Sequence, residues 1–123
     1  MDSLQAIKWL SAPEEKDFPA AASYLSLVFE PDRVDDLITR IRSTPLTNFK
    51  AKDIFRASGL PLLDAGNYHV AKDREKVREG KGLSPILLVR DTVHGKVIIA
   101  DGYHRLCAAY SFSEDEPIPC LIV

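Results

Sequence analysis

The sequence predicts an α+β fold in which a mixed sheet with packed helices is preceded by a mainly helical N-terminal half. Three observations predict it. Residues 1–59 carry helical spacing of apolar side chains, clearest in Val34, Leu37, Ile38 and Ile41. Residues 60–123 hold three short aliphatic or β-branched runs, at 85–90, 96–100 and 118–123. A single helical segment, Tyr103 to Ser111, separates the second run from the third.

In chain order, Asp2 or Ser3 is placed to cap a short amphipathic helix that puts Leu4, Ile7 and Leu10 on one face and ends before Pro13. Pro19 followed by three alanines resembles a first helical turn, with Ala21, Tyr24, Leu25 and Val28 at helical spacing; Tyr24 to Phe29 also reads as a strand. The stripe of Val34, Leu37, Ile38 and Ile41 follows, with Asp35, Asp36, Arg40 and Arg42 off it, and Pro45 stops that helix. A shorter helix, Ala51 to Ser58, buries Ile54 and Phe55 and meets a C-terminal cap in Gly59.

After Gly59 the pattern changes. Leu60 to Leu63 is short and apolar, and the turn-rich run Asp64-Ala65-Gly66-Asn67 follows it. His69 to Glu79, with Val70 and Val77, reads as a surface helix broken by Gly80-Lys81-Gly82. Two strands, joined by a loop containing His94-Gly95, precede the Tyr103 helix, and a last strand closes the chain. The 123 residues are expected to form one domain of two parts, 1–59 and 60–123.

Composition narrows the function. With 46% hydrophobic and 28% charged residues the chain reads as globular rather than disordered or membrane-embedded. The formal net charge is −2 and the basic residues are scattered, so nothing global favours binding to DNA or RNA. Cys107 and Cys120 lack metal-ligand spacing and do not make a disulfide scaffold, which leaves free buried thiols. No metal-ligating set is expected. The first ten residues lack the basic start and apolar run of a signal peptide, and the expected location is cytoplasmic.

The chemistry concentrates at the strand-turn-helix unit Ala100-Asp101-Gly102-Tyr103-His104-Arg105. A helix start exposes unpaired N–H groups and a positive partial charge, which favours an anion. Gly102 allows close approach to the backbone, Arg105 offers a charged fork, and His104 offers a donor whose protonation an anion favours. The alternative is that Asp101 caps the helix and pairs with Arg105, with no ligand. Lys81, between two glycines, is a further candidate for phosphate contact, set against an ordinary solvent-facing lysine. His69 reads as a surface or capping histidine, His94 as a turn residue, Trp9 as a core anchor and Cys107 as a small packing residue.

The run ADGYHRLCAAY, Ala100 to Tyr110, resembles the glycine-rich phosphate-binding motifs of sulfiredoxins and of ParB N-terminal domains. The strand Ser84 to Val89 and the closing strand Ile118 to Val123 resemble those flanking the motif in that superfamily, so the likeness covers roughly 60–123. It implies a ParB/sulfiredoxin-like fold that binds ATP or CTP, with Mg²⁺ as a candidate companion. By the same resemblance, phosphate contact falls to Gly102, His104 and Arg105, and Tyr103 between them is counted among the candidate phosphate-binding residues. Tyr103 stands where sulfiredoxins carry their catalytic cysteine, so sulfinic acid reduction is not expected, and no helix-turn-helix segment follows to suggest centromere-type DNA binding. The function implied is an NTP hydrolase or small-molecule phosphotransferase, with the helical first half shaping an acceptor pocket. The alternative is a non-catalytic nucleotide- or anion-sensing module that controls association with a partner.

Overall fold

The computed structural model describes residues 6–123. Its elements are α1 (Asp17–Leu25), α2 (Pro31–Ser43), β1 (Thr47–Lys50), α3 (Ala51–Ser58), α4 (Tyr68–Arg78), β2 (Ile86–Asp91), β3 (Lys96–Asp101), α5 (Tyr103–Phe112) and β4 (Pro117–Ile122). The four strands form one mixed sheet in the order β1-β4-β2-β3. Strand β4 runs antiparallel to β1 and parallel to β2, and β3 runs antiparallel to β2. This is the α+β arrangement of mixed sheet and packed helices that the hydrophobic pattern predicts.

Strand β2 is central, and its continuous apolar run follows from burial on both faces. Successive side chains point to opposite faces. Leu87 and Val89 therefore meet Phe18, Ala21 and Leu25 of α1 and Val34, Leu37 and Ile41 of α2, while Ile86 and Leu88 meet Ile54 of α3 and Leu106 and Ala109 of α5. Helix α5 is apolar nearly all round because it is covered twice: its Cys107 and Ala108 pack on Val70 of α4. The β2/β3 register slips where Leu87 faces Asp101 but Leu88 faces Ile99, which leaves Ala100 as an extra residue just before the turn into α5.

Several local expectations are corrected. Asp2, Ser3 and Leu4 lie outside the described residues, and Ile7 to Leu10 is not helical. Its backbone is drawn into pairing instead: the Leu10 N–H donates to the Leu83 carbonyl at 2.8 Å, and the Leu83 N–H donates to the Lys8 carbonyl at 2.8 Å. The helical reading of 19–28 holds for α1, which starts at Asp17, but Phe18, Ala21 and Leu25 make its buried stripe and Tyr24 and Val28 stay exposed. Strand β1 is an addition. Its four residues are all exposed, and only pairing with β4 defines them as a strand.

Candidate functional site

The turn from β3 into α5 is built around Gly102. Its φ of +108° lies where side-chain-bearing residues are strained, and a Cβ there would sit 2.5 Å from Ile86 Cδ1 and 3.0 Å from Arg105 Nη2. Gly102 itself is the N-cap residue, and its carbonyl accepts the first α-helical bond, from the Leu106 N–H at 2.9 Å. The expectation that Asp101 caps α5 is thereby corrected: no side chain caps this helix, and the Asp101 carboxylate turns to Arg105 instead.

Arg105 is a clamp before it is anything else. Its Nε donates to the Ser84 carbonyl at 3.0 Å, and its Nη2 donates to the Pro85 carbonyl at 3.2 Å and to Asp101 Oδ2 at 2.9 Å. The Arg105 and Asp101 side chains are only 17% and 16% exposed. The guanidinium thus fastens the approach to β2 onto the end of β3. Burial raises the Asp101 carboxyl above its ordinary value, against the attraction and hydrogen bond of Arg105.

Helix α4 supplies the opposite wall. Asn67 caps it, its side-chain oxygen accepting from the His69 and Val70 N–H groups at 2.9 and 3.2 Å. With Val70 and Val77 buried, His69, Lys72, Asp73 and Lys76 fall at i, i+3, i+4 and i+7 and form one polar stripe. That stripe and residues 101–105 enclose a cavity of about 250 Å³. The His69 and His104 rings lie 4.8 Å apart between centroids. Burial, then His69, holds His104 below its ordinary value, with Asp73 opposing. Burial raises Asp73, while Lys76 and then Arg105 oppose. Tyr103 lines the cavity too, and its hydroxyl donates to the Pro61 carbonyl, tying the 60–63 segment to the helix start.

The structure therefore gathers Asp101, Gly102, Tyr103, His104 and Arg105 at one cavity and leaves Lys81 out. Lys81 is 66% exposed and pairs with Glu79 at 3.2 Å, and its backbone N–H closes the end of α4 on the Lys76 carbonyl at 2.9 Å. His69 is exposed, as its reading as a surface histidine expects, and it also lines the cavity. Lys72, Asp73 and Lys76 are additions, and the signal that points to them is a polar stripe at helical spacing that flanks Val70 and Val77. Among the described residues, no group of three or more His, Cys, Asp or Glu side chains is placed to hold a metal ion.

A second cavity, of about 440 Å³, shares Asp101, Gly102, Tyr103 and His104 with the first and is otherwise lined by Ala20, Tyr24, Leu60, Ile99 and Ala100. Among the described residues no helix is long and apolar enough to cross a membrane. No protein-family model matches the chain, and neither curated proteins nor solved structures provide a match.

Proposed function

We propose that this protein binds the phosphate end of a nucleotide, ATP or CTP, between α4 and the start of α5, and hydrolyses it or transfers a phosphoryl group to a small-molecule acceptor. One observation carries the reading: the N-terminus of α5, bearing His104, faces His69, Lys72 and Lys76 of α4 across a single polar cavity. The phosphate contacts are then the N–H groups of the first turn of α5, the lysines, His69 and His104. Arg105 contributes mainly by holding that turn in place. The resemblance of 100–110 to nucleotide-phosphate motifs supports the same assignment. Mg²⁺ would arrive on the nucleotide, whose phosphates and water supply most of its ligands. The location proposed is cytoplasmic, which two free buried thiols support.

One observation favours the non-catalytic sensing module as a second reading. Both carboxylates of the cavity already face cations, Asp101 at Arg105 and Asp73 beside Lys76 at 3.9 Å, so taking a proton from an acceptor would disturb an existing pair even though burial raises both carboxyls. Calorimetric titration of ATP, CTP, GTP and tripolyphosphate, with and without Mg²⁺, tests the shared claim. The Lys72→Ala/Lys76→Ala variant should bind roughly tenfold more weakly and with less salt dependence. Absence of binding to the folded wild type refutes the nucleotide reading. Release of phosphate from the bound nucleotide selects the enzyme, and an intact nucleotide with every acceptor selects the sensor.

A further inference from the structure

The larger of these two cavities is mainly apolar. It lies beside the polar one, and the two share the 101–104 turn as a common wall. Tyr24 and Leu60, both on its lining, are 45% and 39% exposed, so two large apolar side chains stand uncovered at its mouth. The floor is the buried pair Ile99 and Ala100 at the end of β3. Volumes of about 250 and 440 Å³ fit the two ends of one small molecule, one end anionic and the other planar and apolar.

We propose that the second cavity is the nucleoside subsite and that Tyr24 stacks on the base; this rests on the phosphate reading of the first cavity. The occupant follows from continuity, since a ligand whose phosphates lie at the start of α5 must leave along the 101–104 turn, and the apolar cavity begins there. Selectivity follows from the lining. Away from the shared turn, the Tyr24 hydroxyl is the only side-chain polar group among Ala20, Tyr24, Leu60, Ile99 and Ala100. A pocket of that composition ranks bases by stacking surface, not by the hydrogen-bonding pattern of their edges, because every base has a π-face. Purine nucleotides therefore bind more tightly than pyrimidine nucleotides, and ATP and GTP are poorly distinguished.

The test titrates ATP, GTP, CTP, UTP and tripolyphosphate into wild type, Tyr24→Ala and Tyr24→Phe. Tyr24→Ala should weaken ATP and GTP by about tenfold, leave tripolyphosphate unchanged, and be rescued by Tyr24→Phe, which keeps the ring. Because Tyr24 is half-exposed and lies off the buried stripe of α1, the variants should fold, which circular dichroism and melting curves check. Unchanged ATP affinity in Tyr24→Ala, equal weakening of tripolyphosphate, or tightest binding of CTP each overturns the subsite while leaving the phosphate reading standing. Failure of tripolyphosphate and all four nucleotides to bind the folded wild type overturns both.

Discussion

Replacing Gly102 by alanine tests whether the turn into α5 depends on having no side chain. The cost has two sources. Holding an alanine at a positive φ of this kind costs about 1–2 kcal/mol. The new Cβ would also lie 2.5 Å from Ile86 Cδ1 and 3.2 Å from Ile86 Cγ2, and Ile86 is fully buried against α3 and α5, so it cannot swing aside. Overpacking of that kind costs about 1–3 kcal/mol. The sum, about 2–5 kcal/mol, is a large share of the roughly 5–15 kcal/mol that holds a domain together. For a chain of this length the melting temperature should fall by about 10 °C or more, read by circular dichroism or calorimetry. Ile86→Val removes the closest atom at a cost of about 1 kcal/mol by itself, so the double variant should be less destabilised than the sum of the singles. A Gly102→Ala protein melting within about 2 °C of wild type, or strict additivity with Ile86→Val, refutes the reasoning.

Three further outcomes are expected. Arg105→Ala should lower ligand-free stability by about 3 kcal/mol, since it strands two carbonyls and a half-buried carboxylate, and Arg105→Lys should recover part of it; unchanged melting of Arg105→Ala would show that the clamp is not structural. His104 starts below its ordinary value through burial and then His69, with Asp73 opposing and Arg105 adding to the depression, and a bound phosphate raises it, so binding takes up a proton. The wild-type affinity for tripolyphosphate relative to that of His104→Asn should therefore grow as pH falls from about 8 to about 5.5; a flat ratio in isothermal titrations places the anion away from His104. Burial raises both thiols, Cys120 to about 11, so they should resist maleimide in the native protein, and Cys107→Ala with Cys120→Ser should reduce thermal stability yet leave nucleotide affinity unchanged; loss of binding by the folded double variant contradicts this.

Much of this architecture is legible wherever one face of an element is buried. The stripe Val34, Leu37, Ile41 marks α2, and Gly59 ends α3 with a φ of +69°, because in both cases the local pattern and the tertiary packing demand the same residues. Strand β1 is illegible for the opposite reason: Thr-Asn-Phe-Lys buries no side chain, and its strand character comes from β4, whose closest partner is over sixty residues away. The segment around Trp9 is lost in the same way, to pairing with Leu83. At the site, the spacing of Gly102, His104 and Arg105 along one helix start is readable, but the Ser84 and Pro85 carbonyls that occupy Arg105 are not. A backbone acceptor leaves no mark in a sequence. The second wall is hidden differently, since a polar stripe on α4 looks like any solvated helix face until its neighbour is known.

The pairing of β1 with β4 has a practical consequence for dissection of the chain. Cutting at the change of pattern after Gly59 would separate β1 from the sheet and strip α1 and α2 from Leu87, Val89, Ala100 and Leu121. The piece 60–123 would keep every residue of the polar cavity but present a bare apolar face and the unpaired edge of β4, a template for pairing with other copies of itself. Sticky, self-associating material from such a fragment would reflect the cut and not the chemistry of the site. Ligand studies thus call for the intact chain, in which α1 and α2 cover that apolar face and β1 occupies the edge of β4.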